Sequence, residues 1–171
     1  DATRTCRGIN VTAPYKVCAA DRFASAQDEI ARACGAINTA IFADERCVLA
    51  TNTDVLGLTT AWRRASIDVS GRVVAIVGAG GAARAAVLAA REAKARAVAI
   101  TARRANARAA LEAVARRADL EVVDEPAHLV VLAATELADP AQTIAAALRG
   151  PGTVHDVPYG VAARSSRDAA L

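Results

Sequence analysis

From residue 73 onward, short apolar runs alternate with longer amphipathic stretches, a pattern typical of strands and helices in a parallel α/β sheet. The pattern predicts strands at 73–77, 97–101, 120–123, 129–134 and 153–157, and helices at 82–93, 106–118 and 141–148. Right-handed crossovers would give the strand order 3-2-1-4-5. We therefore predict a Rossmann-type, doubly wound parallel sheet over residues 66–171.

Residues 1–65 show shorter elements in a different order. We predict strands at 7–11, 36–42 and 47–51, a helix starting at Pro14, helices at 26–33 and 55–64, and a turn at 43–46. Residues 66–71 read as a polar connector. The chain is thus predicted to have a small α/β substrate lobe at 1–65 and a nucleotide-binding domain at 66–171.

A glycine-rich turn follows the first strand of the predicted parallel sheet and directly precedes a helix. A tight turn needs Gly78, close approach of a pyrophosphate to the backbone needs Gly80, and a small Ala83 lets the helix pack on the strand. Amide N–H groups at the start of the helix would face the anion. The predicted cofactor-binding residues of this turn are Gly78, Ala79, Gly80, Gly81, Ala82 and Ala83.

Two arginines follow the second strand, where an NAD-selecting fold would place an aspartate or glutamate. Guanidinium groups form bidentate contacts with phosphate, so Arg103 and Arg104 predict binding to the 2′-phosphate of NADP. The alternative is that both arginines only solvate the beginning of a helix. The NADP interpretation is favoured because a cationic pair beside the positive end of a helix is unfavourable without an anion.

Composition and charge exclude several other classes of protein. The 171 residues carry a net charge of +3 with basic residues scattered among acids, which argues against nucleic-acid binding. The longest apolar runs, 73–83 and 129–134, are short of the ~20 residues that span a bilayer. The four cysteines lack metal-ligand spacing, so no metal site is predicted, and free thiols fit a reducing cytoplasm. A G-x-S-x-G hydrolase turn is absent.

Several motifs occur together in an order that resembles the shikimate dehydrogenase family. They are GINVTAPYK at 8–16, GAINT at 35–39, NTD at 52–54, GAGGAA at 78–83, AAT at 133–135 and DVPY at 156–159. The resemblance covers residues 8–159 and is specific because the motifs co-occur.

The resemblance implies reversible, NADP-linked reduction of 3-dehydroshikimate to shikimate, a step towards chorismate and the aromatic amino acids. By the same resemblance Lys16 is the catalytic lysine that handles the substrate hydroxyl proton, and Asp54 is its acidic partner. The positions expected to contact the substrate or frame its pocket are Thr12, Asn38 and Tyr159, and Thr135 is expected to contact the cofactor.

The chemistry of a lysine beside a carboxylate agrees with this implication. Hydride transfer to a carbonyl leaves an alkoxide that must be protonated, and a lysine can deliver that proton. The alternative is a surface lysine and a turn aspartate in an unrelated fold. Asn10 and Asn52 are expected mainly to stabilise turns. His155, inside the last predicted strand, could approach the cofactor side of the cleft.

The chain also departs from the family pattern. An upstream segment with a Ser-x-Ser pair that binds the substrate carboxylate, and a downstream glycine and glutamine, are not found, so the substrate lobe is expected to be truncated. Val55 stands where the family has glycine and is expected to crowd the cleft. Two alternatives follow: a truncated or degenerate NADP-binding module with little or no activity, or a quinate/shikimate dehydrogenase relative. Uncovered apolar edges predict a marginal monomer or a self-associating chain such as a homodimer.

Overall fold

The computed structural model describes residues 6–134 and 137–157, and it contains a five-stranded parallel sheet and a three-stranded antiparallel sheet. The parallel sheet has the order β6-β5-β4-β7-β8, which is the predicted 3-2-1-4-5. Its strands are β4 (Val73–Val77), β5 (Ala97–Thr101), β6 (Glu121–Val123), β7 (Ala127–Leu132) and β8 (Leu148–Asp156), and its helices are α4 (Gly81–Glu92), α5 (Ala105–Arg117) and α6 (Pro140–Ala147).

Strand β4 lies in the middle of the parallel sheet and is buried along its whole length. Val74 and Ile76 point into one apolar cluster, together with the buried alanines of α4, whereas Val73, Ala75 and Val77 point into a second cluster that includes Ile144 of α6. Both faces of the strand are therefore covered, as a continuous apolar run predicts for a strand in a parallel sheet. The predicted doubly wound α/β class is confirmed.

The antiparallel sheet has the order β1-β2-β3 and is formed by the amino-terminal part of the chain. Its strands are β1 (Gly8–Asn10), β2 (Thr39–Ala43) and β3 (Arg46–Thr51); the helices here are α1 (Lys16–Arg22), α2 (Glu29–Cys34), α3 (Asp54–Arg64) and a 3-10 turn at Ala24–Ala26. A small separate core lies under this sheet and includes Ala31, Ile37, Ala40 and Ala50.

The boundaries of several elements differ from the prediction. The helix expected at 26–33 begins at Glu29, because the Asp28 side chain accepts a 2.7 Å hydrogen bond from the Ala31 N–H and caps it. The strand expected from 36 begins at Thr39, since Gly35 ends α2 with φ +62° and a loop follows. The helix expected from Pro14 begins at Lys16.

The last strand also begins earlier than predicted. It was expected at 153–157 after a break at 150–152, but β8 starts at Leu148 and pairs with Ala127 there. A register shift in the pairing absorbs the intervening glycine and proline residues.

The two parts of the chain share one large core. Val55, Leu58 and Trp62 of α3 belong to the same buried cluster as α4 and β4. Val55 was expected to crowd the cleft, and that expectation is wrong, because its side chain is 1% exposed and packs in this core. The division into 1–65 and 66–171 stays a prediction.

Candidate active site

An ion pair between Lys16 and Asp54 forms the centre of the candidate site. Lys16 is the first residue of α1 and Asp54 the first of α3, so each side chain leaves the beginning of a helix. The Lys16 Nζ donates to Asp54 Oδ2 at 2.7 Å, and the side chains are only 15% and 26% exposed. A short, charge-assisted hydrogen bond in a partly buried position fixes the ammonium in one place.

Asn38 connects this ion pair to the loop before β2. Its side-chain amide donates to Asp54 Oδ1 at 2.8 Å, so the two oxygens of the carboxylate are held by different partners. The Asn38 side-chain oxygen accepts from the Thr53 N–H at 3.0 Å. Thr12 is exposed in the loop after β1, where its carbonyl accepts from the Tyr15 N–H.

Asn52 carries a role that sequence reasoning missed. Expected only to stabilise a turn, it is 1% exposed and makes three hydrogen bonds. It donates to the Ala36 carbonyl at 3.0 Å and to Cys34 Sγ at 3.4 Å, and it accepts from the Asp54 N–H at 3.0 Å. Asn52 therefore positions the residue that holds Lys16. The signal for this was its place directly ahead of a helix that begins with an acidic residue.

The glycine-rich turn lies at the carboxyl end of β4, where ligands bind in sheets of this kind. Gly78 has φ +116°, and a Cβ there would come within 2.8 Å of the Ala133 backbone, so both conformation and packing require glycine. Gly80 precedes α4, is exposed, and has no atom of the described chain within 4 Å of an added Cβ. Ala83 is fully buried in the core, as helix packing on the strand requires.

Gly81 is the second feature that sequence reasoning missed. It was grouped with the phosphate-binding turn, but the Lys16 side chain lies against it: an added Cβ would be 2.6 Å from Lys16 Cβ. The ion pair and the glycine-rich turn therefore meet at the beginning of α4. This contact joins residues 65 positions apart, and no local pattern in the sequence announces it.

Arg103 and Arg104 follow β5, beside the carboxyl end of β4. Both are exposed, and Arg104 is the cap residue of α5, whose first turn contains no acidic residue. Neither arginine forms an ion pair with any carboxylate within residues 6–134 and 137–157. Their position leaves both guanidinium groups available to an anion at this edge of the sheet.

Two of the predicted site residues, Thr135 and Tyr159, lie outside the described residues. His155 was considered as a group near the cofactor, but its ring packs edge-on against Trp62 with centroids 6.4 Å apart. Burial lowers the pKa of His155 from its ordinary value, with a smaller opposing effect from Asp156. The structure thus gives this histidine a packing role against α3.

Arg84 of α4 reaches across to the loop after α2. Its guanidinium donates to the Cys34 carbonyl at 3.4 Å, and a Cβ on Gly35 would lie 2.8 Å from Arg84 Nη1. The carbonyl belongs to the end of α2, where the helix dipole favours a cation. Burial lowers the pKa of Arg84 and raises the pKa of the Cys34 thiol to about 12.

Other features of the described chain do not add to this site. A cavity of about 260 Å³, lined among others by Arg72, Arg96 and His128, lies at the opposite, amino-terminal edge of the parallel sheet. No group of three potential metal ligands occurs within 6–134 and 137–157. In the same ranges, every helix is too short or too polar to cross a membrane.

Comparison with known proteins gives consistent relatives. The chain matches no protein-family model. The curated shikimate dehydrogenase (NADP(+)) of Rubrobacter xylanophilus is 46% identical over 86 residues, covering 48% of this chain and 29% of that protein. The enzyme of the same name from Halobacterium salinarum is 43% identical over 86 residues, covering 50% and 31%. The matched region thus spans about a third of the length of these relatives.

Solved structures extend the similarity over nearly the whole chain. Shikimate 5-dehydrogenase from Thermus thermophilus, in complex with shikimate, is 29% identical with a TM-score of 0.73, covering 99% of this chain and 66% of that one. The same enzyme with NADP(H) and shikimate gives 27% identity, a TM-score of 0.72, and coverage of 99% and 67%. The resemblance to shikimate dehydrogenases that the motifs indicated is confirmed.

Proposed function

We propose that this chain binds NADP and interconverts 3-dehydroshikimate and shikimate, with Lys16 and Asp54 handling the proton. The observation that carries the proposal is the 2.7 Å Lys16–Asp54 ion pair held against Gly81, at the beginning of the helix that follows the glycine-rich turn. This arrangement puts a proton donor beside a dinucleotide-binding turn, as the reduction of a carbonyl by a nicotinamide requires. The curated relatives carry the name of this activity.

The residues of the glycine-rich turn fit a dinucleotide. Gly80 has φ −84°, a conformation open to any residue, and nothing in the described chain fills the space where its side chain would be. The protein therefore gives no internal reason for glycine there, whereas close approach of a pyrophosphate does. Free N–H groups at the beginning of α4 would bind the pyrophosphate, and Arg103 and Arg104 would bind the 2′-phosphate that distinguishes NADP.

Bound NADPH would supply the hydride to the carbonyl carbon. The carbonyl oxygen gains negative charge as this happens, and Lys16 Nζ donates a proton to it. Asp54 accepts a hydrogen bond from the same ammonium and keeps it aimed, while Asn38 holds the other carboxylate oxygen. In the reverse direction the neutral amine accepts the proton of the substrate hydroxyl. Thr12, Asn38 and Tyr159 would contact the substrate.

The same proposal includes the setting of the enzyme. Its reaction belongs to the biosynthesis of chorismate and aromatic amino acids, and the four free cysteines fit the reducing cytoplasm. Homodimer formation stays a prediction.

The experiment is NADP reduction, followed by absorbance at alkaline pH with shikimate or quinate as substrate, alongside a titration of NADP binding. Lys16→Gln removes the ammonium from the ion pair. Lys94→Gln is its matched control, since Lys94 is the only other lysine, is exposed and lies just beyond the far end of α4. We expect Lys16→Gln to lower kcat about 10²-fold or more, the usual size of a general acid contribution, and Lys94→Gln to change it less than about twofold.

Each result has a distinct meaning. Turnover of shikimate that depends on Lys16 supports the proposal, and faster turnover of quinate would assign the chain to a quinate-using relative. NADP binding without turnover by the wild-type chain would leave a binding module and contradict the enzymatic part. Absence of NADP binding would refute both parts.

A further inference from the structure

We propose that Gly81 is a positioning residue for Lys16, with its missing side chain leaving the space that the lysine stem occupies. A Cβ built on Gly81 would lie 2.6 Å from Cβ, 2.9 Å from Cδ and 3.2 Å from Cγ of Lys16. Carbon atoms pack at about 3.5–4.0 Å, so even a methyl group does not fit. The significance of this contact for catalysis rests on the proposed function, but the contact itself does not.

The backbone gives no other reason for glycine at position 81. Gly81 is the first residue of α4 and is not among the glycines with positive φ in the described chain. Its neighbour Gly80 has open space where a side chain would be. Two adjacent glycines of one motif therefore differ: Gly80 faces space for a ligand, and Gly81 faces the lysine.

The contact cannot be relieved at the flexible end of the lysine. Its shortest distance is to Lys16 Cβ, which is attached directly to the α1 backbone. That backbone is held in turn, because the Lys16 carbonyl accepts a 2.9 Å hydrogen bond from the Ile37 N–H. The next residue, Asn38, holds the carboxylate that pairs with Lys16. A methyl group on Gly81 must therefore move either α1 or the ammonium relative to Asp54.

The position of the ammonium is thus set by the helix that follows the glycine-rich turn. Displacement of a reacting group by about 1 Å can cost about 10²-fold in rate. We expect Gly81→Ala to lower kcat by about that factor while the dissociation constant for NADP changes less than about threefold. Gly80→Ala is the matched substitution, and we expect it to weaken NADP binding at least about tenfold without moving Lys16.

The primary measurement does not depend on activity. Incorporation of lysine labelled with ¹³C at Cε gives two side-chain NMR signals, from Lys16 and Lys94, because the chain has no other lysine; Lys94→Gln assigns them. Gly81→Ala should shift the Lys16 signal and leave that of Lys94, which lies beyond the far end of α4. Gly80→Ala should leave both signals unchanged.

A thermodynamic cycle tests the contact if Gly81→Ala disturbs folding. Lys16→Gly removes all three of the crowded carbon atoms, so adding Gly81→Ala to it should cost far less stability than adding it to the wild type. Equal costs in the two backgrounds, or an unshifted Lys16 signal in Gly81→Ala, would overturn the proposal. Loss of NADP binding in Gly81→Ala to the same extent as in Gly80→Ala would do so too. A wild-type chain that neither binds NADP nor turns over would refute the proposed function alone, while the NMR shift and the cycle still decide this contact.

Discussion

The Asn52 side chain is the best place to test whether hydrogen bonding behind the ion pair organises the site. It is almost completely buried, and its amide joins three segments: the end of α2 at Cys34, the following loop at Ala36 and the beginning of α3 at Asp54. Replacement by alanine removes all three contacts at once. The backbone carbonyl of Ala36 and the N–H of Asp54 then lose their side-chain partner.

The expected cost follows from these two groups. A buried donor or acceptor left without its partner costs about 1–3 kcal/mol. Ala36 is fully buried and Asp54 partly buried, so the carbonyl lies toward the upper end of that range and the N–H toward the lower end. We expect Asn52→Ala to lower the free energy of unfolding by about 2–4 kcal/mol. We expect Asn52→Asp to cost at least as much, because it introduces a buried charge that cannot donate to Ala36.

The assay is urea denaturation followed by the fluorescence of Trp62, the only tryptophan, which is 1% exposed in the folded chain. Asn10→Ala is the control: Asn10 is exposed, and its side chain makes one long hydrogen bond of 3.4 Å to Thr39. Its cost should stay below about 0.5 kcal/mol, as for ordinary surface substitutions. Equal costs for Asn52→Ala and Asn10→Ala would refute the reasoning, since burial and satisfied hydrogen bonding would then not distinguish the two asparagines.

Two further predictions concern the region where α2 meets α4. Burial keeps the Cys34 thiol protonated in the folded chain up to a pKa of about 12, whereas the unfolded thiol ionises near 9.0; stability should therefore fall from pH 9 toward pH 12, by at most about 1.4 kcal/mol per pH unit. Cys34→Ala should remove that part of the slope in urea titrations at pH 8 and pH 10.5, and identical slopes would contradict the prediction. Arg84→Ala should lower the free energy of unfolding by about 1–2 kcal/mol, since it removes the bond to the Cys34 carbonyl and the packing on Gly35. Arg84→Met, which keeps the stem, should cost less, and the exposed Arg91→Met should be nearly neutral; a cost for Arg91→Met as large as that for Arg84→Ala would argue against a specific contact.

The parallel sheet could be predicted from sequence because its signals are local. Five consecutive apolar residues in β4, followed by glycines and an alanine-rich helix, admit few other structures. The strand order follows from the handedness of crossovers rather than from any single residue. The bounds of β4 and β5 agree with the prediction to the residue, because polar or glycine positions stand directly beside them.

The misplaced boundaries share a different cause. The start of α2 depends on the Asp28 cap, and the start of β8 depends on its pairing with Ala127 in the neighbouring strand. A cap can be read from sequence only when no better starting point competes with it, and here the apolar run began earlier, at Ala26. Pairing between strands is a tertiary effect, so it overrides the local signal of Gly150 and Pro151.

The least predictable part of the site is how its motifs depend on one another. Lys16, Asn38 and Asp54 come from separate segments, but each side chain is held by an atom of another segment. Asn52 and Gly81 then fix this arrangement from below and from the side, one through hydrogen bonds and the other by leaving space. Because the segments satisfy each other's polar groups, loss of one member leaves several partners unpaired. The co-occurrence of the motifs in the sequence is therefore the linear trace of one connected network, and substitutions within it should be strongly non-additive.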